Sequence, residues 1–240
     1  MKHLVILPTY NEALNIEDVI RKTKASLPDC SILVIDDGSP DGTASIAEKL
    51  GEEFTGIEVM KRKEKSGLGN AYKTGFKWGL ENGFDVMVEM DSDLSHDPAA
   101  LPSIVAPMDN GFDLVVGSRY IPGGKIPNWS LPRRLLSRYG NVYAEKMLKL
   151  PIKDATAGYR AYSARILQQL DFSKIIANGY GFQIEMTYRS MQKGAKITEV
   201  PITFVDRERG TSKMSMRIPI EALLLVTKWS TERLRRKPTY

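Results

Sequence analysis

Residues 86–98 read Val-Met-Val-Glu-Met-Asp-Ser-Asp-Leu-Ser-His-Asp-Pro, an apolar run that ends in two carboxylates one residue apart. The apolar half predicts a buried strand. Side chains alternate along a strand, so Asp91 and Asp93 are expected on one side of the backbone, where their charges repel unless a cation lies between them. Mg²⁺ and Mn²⁺ prefer carboxylate oxygens. The pattern suits a metal site, and it equally suits solvated aspartates that cap a helix beginning near Pro98.

The composition of the chain limits the kinds of site it can carry. Of its 240 residues 42% are hydrophobic, which is ample for a core, and no Pro/Gly/Ser-rich linker divides it. The single cysteine rules out a disulfide framework, and two histidines argue against a His-cluster metal site. Any metal is therefore expected to be bound by oxygen. The net charge of +5 favours an anionic partner.

The two ends of the sequence bear on its location. Residues 1–8 lack the apolar core and cleavage site of a signal peptide, and we interpret them as the first strand of a cytoplasmic protein. The longest apolar run near the other end, 222–226, is too short to cross a bilayer. Any work at a membrane is therefore expected to take place at its surface.

Strand-like and helix-like segments alternate along the chain. Strands are predicted at 3–9, 31–35, 57–61, 86–90, 113–120 and 197–204, and the polar loop 154–160 is predicted to enter a further strand. Helices are predicted at 14–27, from 43, at 67–82, 98–108, 133–149 and 182–192. Strands separated by helices predict an α/β fold with a mostly parallel sheet covered on both faces.

Polar residues follow several of the predicted strands. Ligands of such sheets bind at the carboxyl ends of the strands. We therefore expect one crevice lined by the strand-end groups, which are Thr9, Tyr10, Glu12, Asp36, Asp37, Asp91, Asp93 and Arg119. This convergence favours the metal interpretation of the two aspartates over the capping one.

Five motifs together carry a resemblance to a known family. They are Pro8-Thr9-Tyr10-Asn11-Glu12, Ile35-Asp36-Asp37-Gly38-Ser39-Pro40-Asp41-Gly42-Thr43, Asp91-Ser92-Asp93-Leu94-Ser95-His96, Gly117-Ser118-Arg119-Tyr120, and Phe204-Val205-Asp206-Arg207 with Gly210-x-Ser212-Lys213. With them the chain resembles the dolichyl-phosphate (polyprenyl-phosphate) mannose synthases, inverting enzymes of glycosyltransferase family 2 with the GT-A fold. The last motif and the Asp-x-Asp-Leu-Ser-His form are the motifs most specific to these synthases.

The resemblance implies transfer of mannose from GDP-mannose to a polyprenyl or dolichyl phosphate, and it implies roles for individual residues. The donor is implied to be bound by Pro8, Tyr10, Glu12, Ile35, Asp37 and Ser92. A Mg²⁺ or Mn²⁺ ion on Asp91 and Asp93, with Ser95 as a further candidate ligand, would hold the diphosphate. Arg207 and Lys213 correspond to a mobile loop that closes over the donor phosphates. The phosphate of the acceptor is implied to be bound by Arg119, Arg133 and Ser137.

The chemistry of that reaction agrees with the implied set. Breaking the sugar–phosphate bond builds negative charge on the departing GDP, which a divalent cation, arginine and lysine stabilise. The acceptor phosphate is already an anion, so we nominate no general base. Catalysis is assigned to Asp91, Asp93 and Arg119, since the planar fork of an arginine can donate two hydrogen bonds to a phosphate.

Structural alternatives exist for several of these residues. Glu12 also suits the N-terminus of a helix, and Asp36 suits a role in its own turn. Arg133 and Arg134 also suit the solvated face of a helix, and 207–213 a generic basic loop. We interpret a further set as structural or packing residues, namely Trp78, Trp129, Asp154, Thr156, Glu185 and Trp229.

We divide the chain into a catalytic domain, 1–216, and a C-terminal amphipathic and basic helix, 217–240. Such a helix suits an anionic bilayer surface or a separate membrane-anchor protein, and it equally suits packing on the domain. Because a long-chain acceptor stays in the bilayer, we expect a peripheral enzyme on the cytoplasmic face of the membrane.

Two other functions stay open at this point. The first is transfer by the same mechanism from UDP-glucose or another nucleotide sugar. The choice of donor depends on the shape of the binding pocket, which the sequence does not show. A non-catalytic protein that binds nucleotides or nucleic acid would suit the positive charge, yet it would not need the spaced carboxylates. The basic residues are also not interleaved with aromatic ones, so we expect no nucleic-acid partner.

Overall fold

The computed structural model of the chain describes residues 1–64, 67–206 and 217–235. Its strands are β1 (His3–Thr9), β2 (Ser31–Asp36), β3 (Ile57–Lys61), β4 (Val86–Glu89), β5 (Leu114–Ser118), β6 (Arg160–Ser163) and β7 (Ile197–Pro201). Its helices are α1 (Ile16–Ser26), α2 (Thr43–Glu53), α3 (Leu68–Glu81), α4 (Leu101–Val105), α5 (Leu131–Leu148), α6 (Ala164–Leu167), α7 (Gly179–Gln192) and α8 (Arg217–Arg235).

The strands form one sheet in the order β3-β2-β1-β4-β6-β5-β7. β6 runs antiparallel to both of its neighbours, β4 and β5, whereas the other pairs are parallel. The α/β class and the mostly parallel sheet predicted from the sequence are therefore confirmed.

Hydrophobic side chains cover the sheet on both faces. Because side chains alternate along a strand, Leu4 and Ile6 of β1 pack in one core cluster, while Val5 and Leu7 pack in the other. The first cluster includes residues of α3, α5, α7 and α8, and the second includes residues of α1, α2 and α4. The helices thus form a layer on each face, as a buried parallel sheet requires.

Helix α3 lies unusually close to the sheet, and two glycines make this possible. A Cβ atom on Gly75 would lie 2.7 Å from Cγ2 of Ile6, and one on Gly79 would lie 2.8 Å from Sδ of Met87. The close approach brings Tyr72, on the same helix, to the edge of the sheet where β4 ends.

Two segments differ from the sequence-based expectation. The helix expected over 98–108 is three short pieces: a 3₁₀ turn (Pro98–Ala100), α4, and a second 3₁₀ turn (Ala106–Asn110). Prolines at 98, 102 and 107 each lack an N–H, and together they prevent one regular helix. The strand expected over 86–90 ends at Glu89, two residues before Asp91.

Helix α8 packs on the rest of the protein. Its residues Ala222, Val226 and Trp229 belong to the first core cluster, and the ring of Trp229 stacks on Tyr188 with centroids 6.4 Å apart. Its Leu223 and Leu224 are exposed. Within the described ranges, none of the helices combines the length and the apolar character that crossing a membrane requires. The division at residue 216 stays a prediction.

Candidate active site

A cavity of about 710 Å³ opens at the edge of the sheet where β1, β2, β4 and β5 end. Most residues singled out in the sequence line it, namely Pro8, Thr9, Tyr10, Glu12, Asp37, Asp91, Ser92, Asp93, Ser95, Arg119 and Arg133. The structure therefore brings together residues that the chain keeps up to 125 positions apart. Their individual roles stay predictions.

Of the implied residues that the structure describes, Ile35 and Ser137 do not line this cavity. Ile35 is fully buried in the first core cluster, so its side chain is not placed to touch a donor. The hydroxyl of Ser137 accepts a hydrogen bond from the hydroxyl of Tyr120 at 2.7 Å, and Ser137 is absent from the lining. Arg207 and Lys213 lie outside the described residues.

A loop, rather than the strand itself, presents the two central aspartates. The hydroxyl of Ser92 donates to the carbonyl oxygen of Pro8 at 2.6 Å, and Oδ1 of Asp93 accepts from the amide of Ser95 at 3.0 Å. Leu94 takes a left-handed backbone conformation with φ 61°. Asp91 and Asp93 do not alternate along a strand, as was expected from the sequence, because β4 ends at Glu89; both residues nevertheless line the cavity.

The buried side chain of His96 stabilises this loop. Its Nδ1 accepts a hydrogen bond from the amide of Asp91 at 3.2 Å, which places the ring proton on Nε2. The ring packs against Tyr159 and Phe204, with centroids 5.0 and 5.4 Å away. Burial lowers the pKa of His96 to about 4, so the ring is neutral at neutral pH and brings no positive charge to the carboxylates.

The donor atoms at this loop fit a hard divalent cation. Asp91 and Asp93 supply carboxylates, and Oγ of Ser95 is buried with no hydrogen-bond partner among the described residues. Over those same residues, no group of three His, Cys, Asp or Glu side chains is placed to hold a metal. Two carboxylates leave most coordination positions to other oxygens, which is how Mg²⁺ is bound when substrate phosphates complete its shell.

A further part of the lining follows β1 and β2. Asp37 accepts from Nε of Arg62 at 2.6 Å and lines the cavity, and Glu12 accepts from the side-chain amide of Asn15 at 2.9 Å. Asp36 instead accepts from the hydroxyl of Thr9 and from the amide of Ser39. Asp36 therefore stabilises the turn, which is the structural alternative that its sequence context offered.

Arg119 lies at the end of β5 with its side chain only 4% exposed. Its Nε and Nη2 donate to the two carboxylate oxygens of Asp154, and Nη2 also donates to Thr156 at 2.8 Å. Burial acts to lower the pKa of Arg119, but Asp154 raises it further than burial lowers it. The guanidinium is therefore charged, and Nη1 is the nitrogen for which the described residues supply no hydrogen-bond acceptor.

Asp154 and Thr156 thus have the structural role expected of them, since they fix the side chain of Arg119. Glu185 is structural as well. Its Oε2 accepts from the amides of Ile176 and Ala177, and its Oε1 accepts from Arg189. Neither carboxylate is placed as a free base.

Arg133 enters the cavity from α5 and is half-exposed. Its Nη1 donates to Asp206 at 2.6 Å, and its guanidinium carbon lies 4.0 Å from the ring centroid of Trp129. The indole N–H of Trp129 donates to the other oxygen of Asp206 at 3.2 Å. Trp129, interpreted as a packing residue from the sequence, therefore also lines the cavity and orients Arg133.

Sequence reasoning missed the wall formed by the start of α7. The helix begins at Gly179 rather than near 182, so Asn178, Gly179, Tyr180 and Gln183 line the cavity. The amide of Gln183 donates to Glu89 at 2.7 Å, and burial raises the pKa of Glu89 to about 8. The Gly-Tyr-Gly run at 179–181 was the signal available, because glycines near a helix start allow close approach to a ligand.

The sequence is similar to curated enzymes over nearly its full length. It is 47% identical to the undecaprenyl-phosphate mannosyltransferase of Micrococcus luteus over 229 residues, covering 95% of this chain and 94% of the relative. It is 46% identical to the polyprenol monophosphomannose synthase of Mycolicibacterium smegmatis over 227 residues, covering 94% and 86%.

The structure is similar to that of a solved enzyme. Glucosyl-3-phosphoglycerate synthase from Mycobacterium tuberculosis, solved with Mn²⁺ and UDP-glucose, matches with a TM-score of 0.68 at 22% identity, over 95% of this chain and 78% of that one. The GT-A fold is confirmed. The model of the family described as "Glycosyl transferase family 2" matches residues 4–171. The chain therefore belongs to glycosyl transferase family 2.

Proposed function

We propose that this chain transfers mannose from GDP-mannose to the phosphate of a polyprenyl lipid, with inversion at the sugar. The observation that carries the proposal is one cavity lined both by a carboxylate pair, Asp91 and Asp93, and by two arginines, Arg119 and Arg133. The two relatives described above support the choice of substrates. One is named an undecaprenyl-phosphate mannosyltransferase and the other a polyprenol monophosphomannose synthase.

Different residues of the cavity would bind the metal ion and the nucleotide of the donor. Asp91 and Asp93, with Ser95 nearby, would hold a Mg²⁺ or Mn²⁺ ion, which supplies positive charge against the donor diphosphate. Pro8, Tyr10, Glu12 and Asp37 would contact the nucleotide; Ile35 is left out because its side chain is buried in the core.

The acceptor side would bind and orient a phosphate. Arg119 and Arg133 both line the cavity, and a guanidinium can donate charge-assisted hydrogen bonds to a phosphate. An acceptor phosphate oxygen would attack the anomeric carbon as the bond to the GDP oxygen breaks. No proton has to leave the acceptor, and the nearby carboxylates of Asp154 and Asp206 are already paired with arginines.

We further propose that the protein meets the bilayer mainly through the first half of α5. Leu131, Leu135 and Tyr139 are spaced by four residues, so they form one row, and they are 66%, 42% and 68% exposed. Leu136 beside them is 58% exposed. This face replaces α8 as the main expected contact, because α8 commits its own apolar residues to the core.

The net positive charge supports a peripheral position on the cytoplasmic leaflet, whose anionic lipids attract basic proteins. The exposed Leu223 and Leu224 of α8 offer a second, smaller contact. A separate membrane-anchor protein as the partner of α8 stays a prediction.

The proposal is tested by incubating the protein with labelled GDP-mannose or UDP-glucose, Mn²⁺ or Mg²⁺, and a polyprenyl phosphate in detergent. Label is expected in the organic phase with GDP-mannose, and EDTA should abolish it. Transfer of label from UDP-glucose and not from GDP-mannose would show that UDP-glucose is the donor. Absence of transfer from GDP-mannose, with a known enzyme active on the same acceptor preparation, would contradict the proposal.

A further inference from the structure

A second cavity, of about 530 Å³, lies next to the candidate active site and shares Arg119 with it. Lys125, Arg134 and Arg138 line it, together with Tyr120, Ile126 and Pro127. Arg119 lines both cavities, so the two cavities are neighbours. The three other basic residues of the second cavity, Lys125, Arg134 and Arg138, belong to none of the motifs described above.

The three basic side chains bring positive charge that the described part of the protein leaves uncompensated. Arg119 and Arg133 each have a carboxylate partner, Asp154 and Asp206. Within residues 1–64, 67–206 and 217–235, no carboxylate forms an ion pair with Lys125, Arg134 or Arg138. Nη2 of Arg134 donates to the carbonyl oxygen of Ile126 at 3.0 Å, which holds its guanidinium at the wall of the cavity.

The geometry of α5 places this cavity beside the exposed apolar row. Arg134 and Arg138 are spaced by four residues, so they form a row of their own along the helix. That row lies next to the row of Leu131, Leu135 and Tyr139, which faces away from the body of the protein. Arg133 lies on the other flank of the helix, facing the candidate active site.

We propose that the second cavity binds the phosphate of an anionic bilayer lipid. The proposal deepens the membrane contact proposed above and rests on it. An apolar row that enters the lipid surface would bring the flanking cavity to the depth of the lipid phosphates. There the arginines donate paired hydrogen bonds to phosphate oxygens, and no opposing carboxylate competes for them.

Occupation of this cavity would set the orientation of the protein on the membrane. With a lipid phosphate on one flank of α5, the opening beside Arg133 on the other flank lies at the same depth. A polyprenyl phosphate would then reach the candidate active site without leaving the bilayer. Lys125, Arg134 and Arg138 would be positioning residues for the enzyme on the membrane, with no contact to the reacting atoms.

The first test measures binding to vesicles by sedimentation. Wild-type protein is compared on vesicles of phosphatidylcholine alone and on vesicles that also contain phosphatidylglycerol. The double variant Arg134→Gln/Arg138→Gln should bind the anionic vesicles roughly 20- to 30-fold more weakly, from a contribution of about fivefold for each basic residue near such a surface. The control Lys22→Gln/Lys49→Gln removes the same charge from exposed positions on α1 and α2.

The control variant should lose no more than about threefold, and all variants should unfold at the wild-type temperature. Equal losses in the two double variants would show general electrostatic attraction and overturn the site. Wild-type protein that binds both kinds of vesicle equally would overturn it as well. Sedimentation needs no donor sugar, so it stands even if the proposed transfer fails.

A second measurement separates a bilayer lipid from the acceptor itself. Transfer to a short, water-soluble prenyl phosphate should show the same KM for the wild type and for Arg134→Gln/Arg138→Gln. Transfer to a long polyprenyl phosphate in anionic vesicles should fall in the variant by about the factor lost in binding. A raised KM for the short acceptor would assign the cavity to the acceptor phosphate and overturn the proposal.

Discussion

Asp154 binds Arg119 at two points inside the candidate active site, with Nε and Nη2 of the guanidinium each 2.7 Å from a different carboxylate oxygen. The carboxylate is fully buried, and Arg119 keeps the pKa of Asp154 below its usual range in spite of that burial. Asp154 thereby fixes the orientation of the Arg119 guanidinium, which lies just after the end of β5.

Removing the carboxylate should destabilise the protein. The variant Asp154→Asn leaves a buried guanidinium without its counter-charge, a change that costs about 3–5 kcal/mol when one partner of a buried pair is lost. The control Glu48→Gln removes one partner of an exposed pair with Lys61 and should cost less than about 1 kcal/mol. Urea unfolding measures both; equal free energies of unfolding would show that the buried pair contributes nothing.

The aspartates of the central loop should be needed for transfer and dispensable for folding. Asp91→Ala and Asp93→Ala are expected to abolish transfer and to weaken Mn²⁺ binding, because each removes a carboxylate from the candidate metal site. Asp97→Ala is the control, since Asp97 is exposed and caps the following 3₁₀ turn through the amide of Ala99. Wild-type transfer in either of the first two variants would refute the metal assignment.

Arg133 should act on the acceptor rather than on the donor. Loss of one charged hydrogen bond to the lipid phosphate corresponds to about a tenfold to hundredfold rise in the KM for polyprenyl phosphate. The KM for GDP-mannose should change little in Arg133→Ala. Lys146→Ala, an exposed position at the far end of α5, serves as the matched control. An unchanged acceptor KM would remove Arg133 from the acceptor site.

Two glycines should respond in opposite directions to substitution by alanine. Gly75→Ala places a methyl group 2.7 Å from Ile6, which should cost about 1–3 kcal/mol of folding free energy. Gly140 lies within α5 with nothing within 4 Å of its added Cβ, so Gly140→Ala should stabilise the helix by up to about 1 kcal/mol. Thermal unfolding distinguishes the two; a neutral Gly75→Ala would show that α3 moves away from the sheet without cost.

The single cysteine should be unreactive in the folded protein. Burial raises the pKa of Cys30 to about 11, above its ordinary value of 9.0, and the side chain is 1% exposed. The thiol is therefore neutral at pH 8, and alkylation by iodoacetamide should be slow until denaturant is added. The shift also means that folding stability falls as the pH rises from 9 to 11, because the unfolded chain releases the thiol proton first. Fast alkylation of native protein at pH 8 would contradict this.

The sequence predicted what depends on local pattern. Apolar runs located the strands, and the polar groups that follow them, such as Asp91 and Arg119, share one cavity because parallel strands end at one edge. It did not predict contacts between distant segments. The loop of Asp91 is set by the carbonyl of Pro8, 84 residues away from Ser92, and the partner of Arg119 is 35 residues along the chain.

Other differences also have a physical reason. Apolar periodicity carries no information on strand direction, so the reversal of β6 could not be seen. The glycines at 179 and 181 hid the first turn of α7, because glycine is unfavourable within helices and is normally taken to mark a loop. Tyr180 and Gln183 were missed for that reason.

The reversed strand β6 has a consequence for how such an enzyme could change over time. Because β6 begins at the edge where β5 ends, residues after β5 and residues before β6 meet there. Arg119, Trp129, Arg133, Asp154 and Thr156 therefore all come from one continuous stretch, 118–158, whereas the residues proposed for the donor come from 8–95. Under the proposed roles, exchanging that stretch between two relatives should change the acceptor of the chimera and keep its donor.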